Sequence, residues 1–63
     1  MFRQLDRVVL KKDMPLHHLY RGAAGTILNV HAKSGGYDVE FNTSNGKPSI
    51  VLPLNSSAIR ALD

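Results

Sequence analysis

Alternation of apolar and polar residues is the clearest pattern along this 63-residue chain, and it is strongest near the middle. Tyr37, Val39 and Phe41 alternate there with Asp38 and Glu40, which is the period of a half-buried β-strand. Four other β-branched or apolar stretches, bounded by turn residues, predict strands over residues 6–11, 25–31, 50–54 and 59–62. No segment sustains helical spacing, so the pattern predicts an all-β fold.

Turn residues separate these strands and suggest their connections. Gly35-Gly36 and Asn45-Gly46 predict two tight hairpins, and residues 55–58 suit a single 3₁₀ turn. Ile27 and Val30 both look buried although three residues separate them, so we expect a bulge or sharp bend in the second strand. Together these features predict one domain over residues 1–63, an SH3-like five-stranded barrel with a long first loop and a 3₁₀ turn before the last strand.

The predicted core follows from these strands. Its expected members are Val8, Leu10, Ile27, Val30, Tyr37 or Val39, Phe41, Ile50, Leu52, Ile59 and Leu62. Pro53 indicates that the fourth strand lies at an edge or ends there.

Composition narrows the class of protein. Eight Lys and Arg against five Asp and Glu give a formal net charge of +3, which permits contact with nucleic acid or an acidic protein surface and is also ordinary for solubility. The sequence has no cysteine, which fits a reducing compartment. The first residues do not resemble a signal peptide and no apolar run could span a bilayer, so we expect a cytoplasmic protein without membrane contact.

Four segments carry a resemblance to a known family. They read LDRVVL at residues 5–10, DMPL at 13–16, GAAGTILNV at 22–30 and GYDVEF at 36–41. They resemble a family of small bacterial proteins classed as a domain of unknown function (numbered 4926), and the resemblance covers nearly the whole chain. It implies no activity, and the sequence departs from the family at His17-His18, which makes the first loop more basic. Gly25, Ile27 and Val30 also resemble the short KOW motif of ribosomal and transcription proteins.

The sequence offers little for catalysis, and we expect no enzyme and no cofactor. Metal binding would need His31 or a carboxylate such as Asp13 brought to the adjacent His17 and His18, and exposed loop histidines are far commoner than ligands. Gly22 and Gly25 lack the following Lys-Ser/Thr of a phosphate-binding loop, so we interpret them as bends leading into the second strand. A barrel of this size also leaves no interior room for a substrate.

Two surfaces are candidates for binding. The first is the loop over residues 14–20, whose large apolar residues predict contact with a protein partner through Met14, Leu16, Leu19, Tyr20 and Arg21. The alternative interpretation of this loop is structural, with Leu16 and Leu19 capping the open end of the barrel. Recognition of proline-rich peptides is not expected, since the chain has no Trp.

The second candidate surface is basic. Arg7 and Lys11 share a face of the first strand by period two, and the predicted topology brings Arg60 beside them. This face could contact RNA or DNA as in a KOW-like module, whereas the alternative is an ordinary solvated strand. Exposed edge strands also permit self-association.

Overall fold

The computed structural model describes residues 2–42 and 48–62. Five strands form one antiparallel sheet: β1 (Arg7–Leu10), β2 (Ala24–His31), β3 (Gly36–Phe41), β4 (Ile50–Asn55) and β5 (Ile59–Ala61). Short 3₁₀ turns occupy Pro15–His17 in the first loop and Ser56–Ala58 before β5. The predicted all-β class, all five strands and the second 3₁₀ turn are therefore confirmed, while the predicted Asn45-Gly46 hairpin turn lies outside the described residues.

The strand order is β4-β3-β2-β1-β5, so the last strand lies beside the first. Within the described residues no pairing joins β4 to β5, and the sheet is not closed into a full barrel. This arrangement is compatible with the predicted SH3-like fold. Pro53 lies on β4, which is an edge strand as predicted.

One face of the sheet, the inner face, carries the hydrophobic core. Side chains from all five strands enter a single buried cluster, so the sheet curves around its own core. Its largest fully buried members are Phe41, Leu10, Ile27, Ile59, Val8 and Val39. Tyr37 and Val39 are both buried because both lie on the inner face of β3.

The predicted bulge in β2 is present. Ile27 pairs with Val39 whereas Asn29 pairs with Asp38, so Leu28 is the extra residue. The shift places Val30, which pairs with Tyr37, on the same face as Ile27. A one-residue insertion thus reconciles the three-residue spacing with a two-residue strand period.

Three predictions about the core need correction. Val30 is 42% exposed and Leu62 is 43% exposed, because the first lies near the far end of the β2–β3 hairpin and the second follows the short edge strand β5. Ile50 is only partly buried against the core. Three residues that were not expected in the core belong to the buried cluster: Leu19, Leu54 and Ala58.

Candidate interaction surfaces

Backbone hydrogen bonds hold the first loop in a defined shape. Met14 and Leu19 form an isolated bridge, in which the Met14 N–H donates to the Leu19 carbonyl at 2.7 Å and the Leu19 N–H donates back at 3.2 Å. His17 N–H also donates to the Met14 carbonyl at 3.0 Å, and His18 N–H donates to the Pro15 carbonyl at 3.1 Å. His18 adopts the left-handed conformation (φ 57°) that turns the chain back after the 3₁₀ turn. Residues 14–19 therefore form a closed, internally bonded loop.

The side chains of this loop fall into two groups. Leu19 is buried in the core cluster and Met14 packs against that cluster. Leu16, at the tip, is 94% exposed, and Tyr20, at the base, is 54% exposed. The capping interpretation therefore holds for Leu19 and is wrong for Leu16, because the 3₁₀ turn directs Leu16 away from the sheet.

Hydrogen bonds also fix the base of the loop. The Asp13 carboxylate accepts a hydrogen bond from the Arg21 N–H at 2.9 Å, and the Tyr20 carbonyl accepts one from the Ala23 N–H at 2.9 Å. Gly22 has φ +95°, a conformation that side-chain-bearing residues rarely adopt, and its N–H donates to the Leu10 carbonyl at 2.9 Å. The interpretation of Gly22 as a bend is therefore confirmed.

Gly25 needs a different explanation. It lies within β2 on the inner face, and its φ is not positive. A Cβ atom there would lie 2.8 Å from Cε1 of Phe41 and 2.8 Å from Cγ1 of Val39. The interpretation of Gly25 as a bend is corrected: glycine is needed because two core side chains lie against the backbone.

Two of the three predicted basic residues, Arg7 and Arg60, lie on one surface, and Lys11 directly follows β1. Val9 pairs with Arg60, and Arg7 and Lys11 lie two residues on either side of Val9. The Lys11 N–H continues the ladder by donating to the Ala58 carbonyl at 2.8 Å. Arg7 and Arg60 thus lie on the side of the sheet opposite the core, which we call the outer face. The Arg7 Nε donates to the Gly25 carbonyl at 3.4 Å.

The low exposure of Val9 indicates that neighbouring side chains on the outer face pack against the sheet. It lies on the outer face and outside the core cluster, yet only 4% of it is exposed. Burial on an open face requires cover from neighbouring side chains, and Val9 pairs with Arg60 and Ala24 and lies two residues after Arg7 on the same strand. Long basic side chains commonly bury their aliphatic stems in this way while keeping the charge in water.

Acidic residues lie on the same outer face, two strands away, and the sequence alone did not single them out. Glu40 and Asp38 alternate with the buried residues of β3. The Ser49 hydroxyl donates to Glu40 Oε2 at 2.9 Å, and Asp38 Oδ2 lies 2.9 Å from His31 Nε2 and accepts from Asn29 Nδ2 at 3.3 Å. The alternating pattern of β3 could have placed these carboxylates opposite the core, but their position relative to the cations depends on strand register.

The histidines and aromatic residues complete the set of candidate groups. His31 contacts Asp38 rather than Asp13, and in residues 2–42 and 48–62 no group of three or more His, Asp or Glu could hold a metal ion.

Tyr37 and Phe41 are buried, and the Phe2 ring meets Tyr37 edge-on with 5.5 Å between centroids. Of the four aromatic residues, Tyr20 is therefore the one whose ring is largely open to solvent. No helix in the described segments is long and apolar enough to cross a membrane.

These features define a class of protein: a small all-β domain with one curved five-stranded sheet and a long, hydrogen-bonded first loop. The family model described as domain of unknown function (DUF4926) matches residues 4–61, and the chain belongs to this family, which confirms the resemblance found in the sequence. Comparisons with curated proteins and with solved structures found no match.

Proposed function

We propose that this chain is a small, non-enzymatic interaction module of the cytoplasm that binds a protein partner through the first loop. The observation that carries the proposal is Leu16, a large apolar side chain that is 94% exposed at the tip of a loop closed by the Met14–Leu19 bridge. A leucine scattered on a surface needs no explanation, but here the backbone is bonded on both sides in a way that holds the side chain outward.

The fixed shape of the loop favours binding energetically. Burying a leucine side chain in a partner's apolar pocket stabilises a complex by roughly 1.5–3 kcal/mol. Ordering a flexible loop on binding would offset part of that gain, whereas a loop already closed by hydrogen bonds loses little conformational freedom. Tyr20 and Arg21 flank the base of the loop, and Tyr and Arg are residue types that dominate binding energy at protein interfaces.

The surroundings of Leu16 indicate the chemistry of the partner. Lys11, Lys12 and Arg21 flank the loop in sequence and are exposed. The Asp13 carboxylate, the acidic group within this segment, already accepts a hydrogen bond from the backbone of Arg21. The matching surface is therefore an apolar pocket with an acidic rim, since rim charges of opposite sign speed association and add specificity.

Capture of partners from extracts of the native host tests this proposal with matched variants. Leu16→Ala and Tyr20→Ala should retain wild-type thermal stability and lose the captured partner, because both side chains are largely exposed. Leu5→Ala is the control, since Leu5 is 71% exposed at another site and its loss should leave capture unchanged. Once a partner is purified, Leu16→Ala should weaken its affinity about 10-fold or more. Equal capture by all variants would contradict the proposal.

A second candidate function is contact with RNA or DNA through the basic part of the outer face. The observation that favours it is the β1–β5 register, in which Arg60 pairs with Val9, two residues after Arg7 and two before Lys11. The β-strand charges would contact the phosphate backbone of the nucleic acid. The stacking aromatics that usually accompany single-strand binding are buried or partly buried in this fold apart from Tyr20. The acidic residues of β3 on the same face also argue against nucleic-acid binding, because carboxylates repel phosphates.

Titration with a fluorescent mixed-sequence polynucleotide tests the second function. Affinity should fall steeply as salt is added and should weaken further in Arg7→Gln, Lys11→Gln and Arg60→Gln, since each neutralised phosphate contributes to the salt dependence. Absence of binding at low salt would exclude this function and leave the loop proposal untouched.

A further inference from the structure

One row of side chains crosses the outer face through all five strands. Leu62 N–H donates to the Arg7 carbonyl at 3.0 Å, which extends the β1–β5 register by one residue. Arg7 then pairs with Thr26, Thr26 with Glu40, and Glu40 with Val51. Paired residues on adjacent antiparallel strands point to the same side of a sheet. The row therefore runs Leu62, Arg7, Thr26, Glu40, Val51 across the side opposite the core.

This row is self-complementary about its centre. The central residue, Thr26, is polar and uncharged, and it has a cation on one side and a carboxylate on the other. Each end is an exposed apolar residue, since Leu62 is 43% exposed and Val51 is 49% exposed. Two copies can face each other with their outer faces, related by a two-fold axis that lies between the sheets and runs parallel to β2. This axis reverses the order of the row in the second copy. Under that operation Arg7 faces Glu40, Leu62 faces Val51, and Thr26 faces itself.

We propose that the outer face binds a second copy of this chain, related by such a two-fold axis. Each of the two charged contacts then joins Arg7 of one protomer to Glu40 of its partner, and Leu62 of one protomer lies on the same side of the axis as Val51 of its partner, farther out. An isologous interface requires this kind of self-complementary patch. The surface is distinct from the first loop, so the proposed protein partner and the second copy occupy different parts of the molecule.

The Arg7 and Glu40 side chains each have atoms left to form a hydrogen bond with a second copy. Arg7 uses its Nε in the bond to the Gly25 carbonyl, which leaves both terminal nitrogens able to donate. Glu40 accepts from Ser49 on Oε2, which leaves Oε1 to accept a further bond. Among the described residues no ion pair joins Arg7 to Glu40 within one chain, because β2 separates their strands. The curvature of the sheet around its core makes the outer face convex, so two copies approach most closely along the central strand β2, where the Arg7–Glu40 pairs flank Thr26. A contact of this extent makes the dimer weak and transient.

Charge-reversal variants and sedimentation velocity test the dimer. Wild-type protein at concentrations up to about 1 mM should show a concentration-dependent rise toward dimer mass, reduced by added salt. Arg7→Glu places two carboxylates together at each charged contact, and Glu40→Arg places two cations together. Each single variant should therefore weaken dimerisation about 10-fold or more, since like charges facing each other across an interface are strongly unfavourable.

The decisive sample is a 1:1 mixture of these two variants. In a mixed dimer both side chains at one charged contact are reversed and both at the other are unchanged, so every charged pair regains opposite signs. The mixture should form dimers that neither variant forms alone. Lys33→Glu is the charge control, since Lys33 lies exposed in the β2–β3 turn and its reversal should leave dimerisation unchanged. Circular dichroism melts establish that each variant is folded. Where a charge-reversal variant does not fold, the neutral variant at the same position, Arg7→Gln or Glu40→Gln, is measured in its place.

Three results would overturn the dimer. A wild-type protein that stays monomeric throughout the concentration range excludes it. Dimers that persist in both single variants, independent of salt, point instead to edge-strand pairing and contradict the proposed face. A mixture that stays monomeric while wild type dimerises excludes the Arg7–Glu40 contact.

Discussion

Replacing Gly25 by alanine tests the packing on which the fold depends. The added Cβ would lie 2.8 Å from Phe41 Cε1, 2.8 Å from Val39 Cγ1 and 2.9 Å from the Glu40 carbonyl oxygen. Phe41 and Val39 are both 0% exposed, and the third neighbour is backbone, so none of them can withdraw freely. The β2 and β3 strands must separate locally or the two core side chains must leave their preferred rotamers.

The expected cost follows from two opposing effects. Overpacking a well-packed core costs about 1–3 kcal/mol. Alanine also restricts the unfolded chain more than glycine does, which returns about 0.4–1 kcal/mol. The difference is a loss of up to about 2.6 kcal/mol, with a central value of about 1.3 kcal/mol, against a total stability of about 3–9 kcal/mol for a chain of this length. A loss of about 1.5 kcal/mol lowers the melting temperature by about 6–12 °C.

Thermal and urea unfolding followed by circular dichroism measure this effect, with Gly36→Ala as the matched control. A Cβ at Gly36 would lie 3.5 Å from Ser34 Oγ and 3.7 Å from the Leu54 carbonyl oxygen, which are ordinary contacts. Gly36→Ala should therefore stay within about 0.5 kcal/mol of wild type. Adding Val39→Ala to Gly25→Ala should cost at least about 0.5 kcal/mol less than the sum of the single changes. Equal stability of the two glycine variants would refute the packing argument.

Three further predictions concern the loops, and urea unfolding measures each. Leu19→Ala should destabilise the fold by about 2–5 kcal/mol because Leu19 is buried, whereas Leu16→Ala should change stability by less than about 0.5 kcal/mol. Asn55→Ala should cost about 0.5–2 kcal/mol, because the Asn55 side chain accepts the Ser57 N–H at 3.2 Å and caps the second 3₁₀ turn. Gly22→Ala should cost about 1 kcal/mol or more, since φ is +95° there. A stable Leu19→Ala variant, or unchanged stability on the other two substitutions, would contradict the respective argument.

Local sequence patterns predicted the strands because those patterns are set by short-range geometry. The alternation of Tyr37, Val39 and Phe41 identified both faces of β3, and the spacing of Ile27 and Val30 identified the bulge in β2. Burial of side chains near the ends of the strands was harder to predict. Val30 has the right residue type and lies on the inner face, yet it lies too near the end of the hairpin to be covered.

Features that depend on long-range pairing could not be predicted from the sequence. The division of the first loop into buried Leu19 and exposed Leu16 depends on the Met14–Leu19 bridge. The close approach of Gly25 to the core depends on its neighbours in β3. The basic face was predicted because fold topology alone brings Arg60 beside β1, whereas the relation of Arg7 to Glu40 needs the register of three strands.

Site-specific photo-crosslinking tests the central claim most directly, that the tip of the first loop contacts a protein partner. A photoreactive amino acid replaces Leu16 in the full chain, which is expressed in the native host, and a control variant carries it in place of Lys33 in the exposed β2–β3 turn. The proposal predicts that position 16 yields one discrete cross-linked protein and that position 33 does not. Identical products from both positions, or no product from position 16, would contradict it.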